Sequence, residues 1–465
     1  MMNDLLRRAR QRWPTATAVD SVTGSMSYAA LEARACALAA GLAARGVGTG
    51  DRVLLAASNS PDAVAAMHAI WRIGAVLSWI HPSTPERKRE RLAARLAARA
   101  VLIDTDLPGL AHAGDTGYAQ RSADDLAAIL FTSGSEGEPK GVMLQHGAMR
   151  AALDAIQSYL GYRSDDVVGT ALPLSFDYGL YQLLLAANVG ASASLLPELA
   201  LLGKAESALR AATVLPLMPS IVALLRAANV RAWPGLRLIT STGAALAPAQ
   251  IDWLLTHFPN ATLYSMYGLT ECKRISYLPP EWLARKPGSI GVAIPGTRVD
   301  IVDEGGASCP AGAIGELIVK GPTLMAGYWN DPPATARALR LQGGERALFT
   351  GDRAYRDGDG HLYFVGRSDD IIKSRGMKVA PKEVEAALLE IDGVIAAAVI
   401  GIDDAMQGQA IAAYVELAPG ASLPVAVLRR QCAARLEAPL VPKYLHIVAA
   451  LPRTPNGKID KAALR

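Results

Sequence analysis

The stretch Thr132-Ser-Gly-Ser-Glu-Gly-Glu-Pro-Lys-Gly141 lies between two apolar runs, residues 127–131 and 142–144. Short apolar runs bounded by turn residues read as buried strands, so the polar stretch is a loop joining two of them. Its small residues and glycines let backbone N–H groups approach an anion closely, its hydroxyls add donors, and Lys140 adds a cation. It is not a Walker A loop: no Gly precedes the lysine, no Ser or Thr follows it, and the next element is a strand. By itself the segment fits either a phosphate-holding loop or a plain hairpin turn.

Working outward, the chain alternates helix and strand signals. Leu31, Ala35, Leu38 and Leu42 share one helical face ahead of Gly46. Residues 51–57 read as a buried strand, 61–73 as a helix stopped by Gly74, 86–99 as a basic helix, and 101–104 as a short strand. The charges of the basic helix read as a solvated face. Repeated strand–helix–strand order implies a mostly parallel sheet covered by helices. Strands at 213–216, 236–240 and 262–265 continue that pattern. After about residue 285 short strands and Gly-rich turns mark a β-rich subdomain. A final unit follows Gly366-Arg-Ser-Asp-Asp370, with a helix opened by Pro381, strands at 394–402 and 410–417, and a helix at 425–436. The fold class is therefore α/β: a large N-terminal domain of sheets covered by helices plus a β-rich subdomain, residues 1–366. A small α+β C-terminal unit, residues 367–465, follows a hinge near 366–370.

Composition narrows the function. With 465 residues, 51% hydrophobic and 19% charged, the chain has ample apolar surface to offset the entropy of ordering, which excludes disorder. A formal charge of +4 gives no support for a nucleic-acid partner or a membrane surface. The four cysteines are scattered, with no CxxC pair, so neither a disulfide framework nor a structural zinc site is expected. The N-terminus has no apolar signal region, and the most lipid-like stretch, 179–202, is too polar to span a bilayer. A cytoplasmic protein with no membrane span is expected.

Three further segments join the loop. Tyr264-Ser-Met-Tyr-Gly-Leu-Thr-Glu-Cys272 ends a strand with a tyrosine, a tight Gly turn, a hydroxyl and a carboxylate. Thr350-Gly-Asp352 is read at a strand end, where a carboxylate can accept two ribose hydroxyls. Thr454-Pro-Asn-Gly-Lys-Ile-Asp460 puts one lysine on an exposed turn. Together and in this order, they resemble the adenylate-forming (AMP-binding) ligase superfamily: acyl- and aryl-CoA synthetases, adenylation domains of nonribosomal peptide assembly, and luciferases. The resemblance runs from about Ala16 to the last residues. It implies an adenylation core with a C-terminal lid that activates a carboxylate with ATP and Mg²⁺, then passes the acyl group to a thiol.

Roles follow from the resemblance. Thr132, Ser133, Gly134, Ser135, Gly137 and Lys140 would hold the ATP phosphates, although Glu136 stands where many relatives have Thr. Glu271 would be the Mg²⁺ ligand and Thr270 a phosphate contact. Tyr267 would border the adenine, and Asp352 would bind the ribose with Arg367 beside it. Lys458 would bridge the attacking carboxylate and the α-phosphate. Asp369 would be the hinge, and Lys373-Ser-Arg-Gly-Met-Lys378 would swing in for thioester formation. His146 is expected to orient or pack, and Cys272 to pack. The acid pocket would be lined by Phe176, Asp177, Tyr181, Ile239, Gly243, Met266 and Arg274. Asp177 follows a Phe, as in peptide-assembly domains that pair it with a substrate amine. It could equally pair with Lys273 or Arg274. Those two cations in turn could meet a second acidic group or answer Asp177 and Glu271.

The lid segments Asp370-Ile-Ile-Lys373 and Val379-Ala-Pro-Lys-Glu-Val384 look more like CoA ligases than like peptide-assembly domains. The chain ends seven residues after Lys458, so the acceptor is expected to be a phosphopantetheine thiol of a separate carrier protein or free CoA. The first expectation is activation of a small carboxylic or amino acid for a carrier protein. An acyl- or aryl-CoA ligase is the second, and a non-catalytic nucleotide sensor a remote third.

Overall fold

The computed structural model describes residues 1–132, 139–196, 210–367, 370, 372–374, 377–404, 408–436, 440–454 and 457–464. Among them, strands form three sheets of 14, 6 and 5 strands. The six-stranded sheet holds the two strands that flank the expected phosphate loop. Arg52–Ala56, Val76–Trp79 and Ala100–Ile103 are parallel, Leu126–Thr132 joins them in parallel, and Lys140–Gln145 returns antiparallel with Gly327–Tyr328 at its edge. Thr132 and Lys140 are cross-strand partners at the end of that strand pair.

In the 14-stranded sheet, Val214–Leu217, Leu238–Ser241 and Thr262–Tyr267 are parallel and in step. Val214–Leu217 and Leu238–Ser241 are buried at every position, as expected for strands covered on both faces. Ser276–Leu278 then pairs antiparallel with Thr262–Tyr267, and Ser289–Ala293 follows. The β-rich segment is thus joined edge to edge to the parallel sheet, through Leu362–Arg367 and Glu345–Arg356. Among the strand pairs that the sequence reading missed, one lies at the N-terminus. Thr17–Ser21 and Gly24–Ser27 form a hairpin that adds to the far edge of this sheet, beside Ser192–Leu195.

Two helices, Pro61–Arg72 and Asp177–Val189, are buried almost all round. A helix apolar on every side belongs in an interior. Polar atoms on these helices are tied to their surroundings: Trp71 Nε1 donates to the Ala127 carbonyl, Tyr178 Oη to the Thr240 carbonyl, and Tyr181 Oη to the Met149 carbonyl. Gly179 is where the second helix meets the chain before it; a Cβ there would lie 2.2 Å from the Pro173 carbonyl oxygen. That contact admits no side chain.

The C-terminal sheet contains Ile372–Ser374, Met377–Val379, Val394–Asp404, Gly408–Leu417 and Tyr444–Val448. It has an apolar core of its own, with Val384 and Leu388 from one helix and Leu428 and Cys432 from another packed on Val399, Ile411 and Val415. Pro381 occupies the first turn of its helix, where a missing N–H costs nothing. Among the described residues no helix is long and apolar enough to cross a membrane.

Candidate active site

The expected phosphate residues Ser133, Gly134, Ser135 and Gly137, together with Glu136, lie outside the described residues. So do the expected hinge Asp369 and residues 375–376 of the expected thioester segment. What flanks the loop is described. Thr132 Oγ1 donates to the Lys140 carbonyl at 3.5 Å. The Lys140 ammonium stands 5.5 Å over the ring of Tyr328. Tyr328 Oη in turn donates to Glu271 Oε1 at 2.9 Å, and the Glu271 backbone carbonyl accepts the Met325 N–H at 2.7 Å. Burial and the Glu271 carboxylate together push the Tyr328 phenol well above its ordinary range, so it stays a donor. Tyr328 therefore links the expected metal carboxylate to the expected phosphate lysine. Sequence reading missed it, although Gly327-Tyr-Trp329 offered an unusual aromatic pair after a glycine.

Thr270 and Glu271 sit in a turn that folds tightly on itself. A Cβ at Gly268 would lie 2.5 Å from the Lys273 carbonyl oxygen, so the turn needs a glycine there. Lys273 takes a left-handed backbone, φ 65°, which is uncommon for a non-glycine residue and persists where surroundings over-determine it. Cys272 is fully buried, and burial drives its thiol pKa far up, which suits packing and not nucleophilic attack.

Asp352 lies within the strand Glu345–Arg356, which corrects the expectation of a strand end. The Gly beside it explains the misreading. Gly351 has φ 72°, a conformation glycine adopts freely, and the pairing with Gly315–Lys320 shifts register around it, so the strand kinks without ending. Asp352 is buried and held from three directions. Tyr267 Oη donates to Oδ2, the Arg367 guanidinium lies 3.3 Å from Oδ1, and its own N–H donates to Thr350 Oγ1 at 3.1 Å. Burial and the neighbouring carboxylate raise the Tyr267 phenol well above its usual value. The Tyr267 ring is tilted against Phe364, with ring centres 5.8 Å apart.

The expected acid-pocket residues come from three elements, and Ile239 does not join the others. Its side chain packs with Leu215 and Leu263 in a separate apolar cluster, whereas Phe176, Tyr181 and Met266 share one core, because successive residues of a strand face opposite sides. Phe176 precedes the helix Asp177–Val189, which carries Asp177 and Tyr181; Ile239 lies on Leu238–Ser241 with Gly243 just beyond; Met266 lies on Thr262–Tyr267. Tyr181 Oη points to Met149, so it offers this pocket a ring and not a hydroxyl. Met266 Sδ accepts from Tyr159 Oη at 3.2 Å, and Tyr159 stacks on Tyr277 at 4.1 Å. The C-terminal unit brings Lys458 here: its ammonium lies 5.6 Å from the Phe176 ring centre, and its Cε would be 3.6 Å from a Cβ at Gly243. A glycine at 243 thus leaves room for the lysine stem. Asp177, half-buried in the first helical turn, makes no hydrogen bond or ion pair among the described residues. Neither Lys273 nor Arg274 pairs with it, although its field helps to hold the charge on Lys273. Burial lowers the Lys273 ammonium to about 8, against the pull of Asp177 and Glu271.

A second lid lysine was also missed. Lys382, in the helix Pro381–Leu389, stands 5.5 Å over the Phe364 ring, and burial lowers its pKa while Glu385 and Asp352 oppose the shift. His146 is buried, and its Nδ1 accepts the Met2 backbone N–H at 3.2 Å, which agrees with a packing role.

The chain belongs to the AMP-binding enzyme family, whose sequence pattern matches residues 6–329, with the pattern of its C-terminal domain at 383–458. It is an AMP-forming acid–thiol ligase, of the ATP-dependent family that forms acyl-adenylates. It is 30% identical to an L-proline–[L-prolyl-carrier protein] ligase of Pseudomonas fluorescens, aligned over 100% of this chain and 98% of that protein. It is 29% identical to 4-coumarate–CoA ligase 2 of Nicotiana tabacum, over 94% and 89%. Among solved structures, ATP-bound MatB of Rhodopseudomonas palustris superimposes with a TM-score of 0.91 at 28% identity, covering 100% and 98% of the two chains.

Proposed function

We propose that the enzyme adenylates a small carboxylic acid bearing an amine and passes it to the phosphopantetheine thiol of a separate carrier protein. The observation that carries the reading is Asp177: a half-buried carboxylate that directly follows Phe176, whose ring Lys458 approaches, with no protein cation paired to it among the described residues. A carboxylate withdrawn from water needs a partner, and a substrate ammonium supplies one. The relative that acts on L-proline and a carrier protein supports the same reading. The four free cysteines support a reducing, cytoplasmic setting.

The chemistry follows from the side chains. The acid is already ionised at neutral pH, so no general base is required. Lys458 would lie between the acid oxygen and the α-phosphate, offsetting charge that grows as the bond forms. Asp352 and Arg367 would hold the ribose, with Tyr267 along the base. Lys140, Thr132 and the loop would hold the departing phosphates. The donor set at Glu271 fits Mg²⁺: one carboxylate oriented by Tyr328, with no cluster of three or more His, Cys, Asp or Glu among the described residues. Mg²⁺ is commonly bound by one or two carboxylates plus substrate phosphates. When bound there it would neutralise phosphate charge.

The CoA-ligase reading is favoured by the lid segments around Ile372 and Val379 and by the 4-coumarate–CoA ligase relative. The test is acid-dependent ATP–pyrophosphate exchange on pairs of acids that differ only in the amine. Exchange restricted to the amine-bearing partner, lost in Asp177→Ala, is expected. Equal exchange with both partners would overturn the amine reading, and rapid turnover with free CoA would replace the carrier protein.

A further inference from the structure

Two consecutive cations lie beneath the acid pocket with no anion bonded to them among the described residues. Lys273 is 3% exposed and Arg274 5%, and neither Lys273 Nζ nor Arg274 Nε has a hydrogen-bond partner among those residues. Their neighbours are ring faces: Lys273 Nζ lies 5.7 Å over Tyr181, and Arg274 Cζ 5.3 Å over Tyr178. A ring face repays part of the cost of taking a cation out of water but satisfies none of the guanidinium's donors directionally. The two carboxylates that act on Lys273 are at a distance, and Glu271 is engaged by Tyr328.

The backbone enforces this arrangement. Consecutive residues of an extended chain point to opposite faces. Here the left-handed turn at Lys273, locked by the close packing of Gly268 on the Lys273 carbonyl, breaks the alternation, and both side chains are buried. Strain is thus retained at a point where two positive charges with no bonded anion among the described residues lie against the rings of Tyr178 and Tyr181.

We propose that Lys273 and Arg274 form an anion-binding subsite of the acid pocket, so the acid carries a second carboxylate or similar anionic group remote from the one that is activated. Lys458 lies against Phe176, Phe176 packs edge-on against Tyr178 at 6.4 Å, and Arg274 lies over Tyr178. The rings of Phe176 and Tyr178 therefore connect the reacting end to the subsite, which suits an acid with anions at both ends. This rests on the acid pocket of the reading above but not on its amine: with an amine at Asp177 the acid is an acidic amino acid, without it a plain diacid.

The experiment is ATP–pyrophosphate exchange by the full chain on matched pairs: aspartate and asparagine, glutamate and glutamine, succinate and butyrate, glutarate and its monoamide. The anionic partner is expected to have a kcat/KM at least about 10-fold higher, as one charge-assisted contact implies. Arg274→Leu and Lys273→Met should collapse that preference through KM, with Arg274→Lys restoring part of it. ATP binding by calorimetry identifies variants that remain folded. Neutral partners serving equally, a preference that survives both substitutions in folded protein, or silence with every anionic acid would overturn the subsite. Exchange with diacids lacking an amine would keep the subsite and sink the Asp177 reading; exchange with neutral amino acids alone would do the reverse.

Discussion

Acid should loosen this enzyme through His146. The side chain is 1% exposed, opens the helix His146–Leu160 directly after the phosphate-loop hairpin, and accepts the Met2 N–H at Nδ1, which requires that nitrogen to be unprotonated. Burial is the main cause that lowers its pKa from 6.5 to about 4; Arg121 and the amino terminus add to the shift, while Asp125 and Asp4 oppose it. Between those two values the unfolded chain binds a proton that the folded one refuses, so stability is full above 6.5 and falls as the pH drops towards 4. At about 1.4 kcal/mol per unit the full loss is about 3 kcal/mol, of which about 2 kcal/mol is gone by pH 5. His146→Asn keeps an acceptor for the Met2 N–H but does not titrate. Urea midpoints of the two proteins at pH 7.5, 6 and 5 are expected to converge as the pH falls, because the parent loses stability that the variant does not. His68, also buried and also lowered, to about 3, titrates in both proteins and cancels in the comparison. Parallel midpoints at all three pH values, or a His146 resonance titrating near 6.5 in the folded enzyme, would refute the argument.

Two further substitutions address the chemistry. Lys458→Ala should reduce pyrophosphate exchange on the order of 10²–10³-fold while leaving ATP affinity nearly unchanged by calorimetry, since the lysine acts on charge that develops during the reaction. Equal loss of both would contradict that role. Tyr328→Phe removes the donor from Glu271 Oε1; the Mg²⁺ concentration for half-maximal exchange should rise about 10–100-fold, as for a lost partner of a metal ligand. An unchanged Mg²⁺ curve would remove Tyr328 from the metal site.

What could be read from the chain was whatever a single element or hairpin contains. The loop between Thr132 and Lys140 was legible because its flanking strands pair with each other, and the Gly268 turn because tightness is a property of a few adjacent residues. Gly351 shows the limit of local reading. A glycine after a strand signal commonly marks a stop, and here the same conformation bends a strand that continues, because Gly315–Lys320 pairs with Phe349 before the kink and with Arg353 after it. Tyr328 and Glu271 are 57 residues apart and meet through the edge strand Gly327–Tyr328; no periodicity encodes that meeting. Phe364 is the sharpest case. It looks like one more apolar residue in a strand, yet it is touched by Tyr267 from the core and by Lys382 from the C-terminal unit. A residue whose meaning lies in being reached from two directions carries no mark of it in its own neighbourhood. Lys273 and Arg274 lie between these cases: the sequence placed them near the acid pocket but left open whether they meet a substrate anion or answer Asp177 and Glu271, and their burial beside a left-handed turn is visible only in the fold.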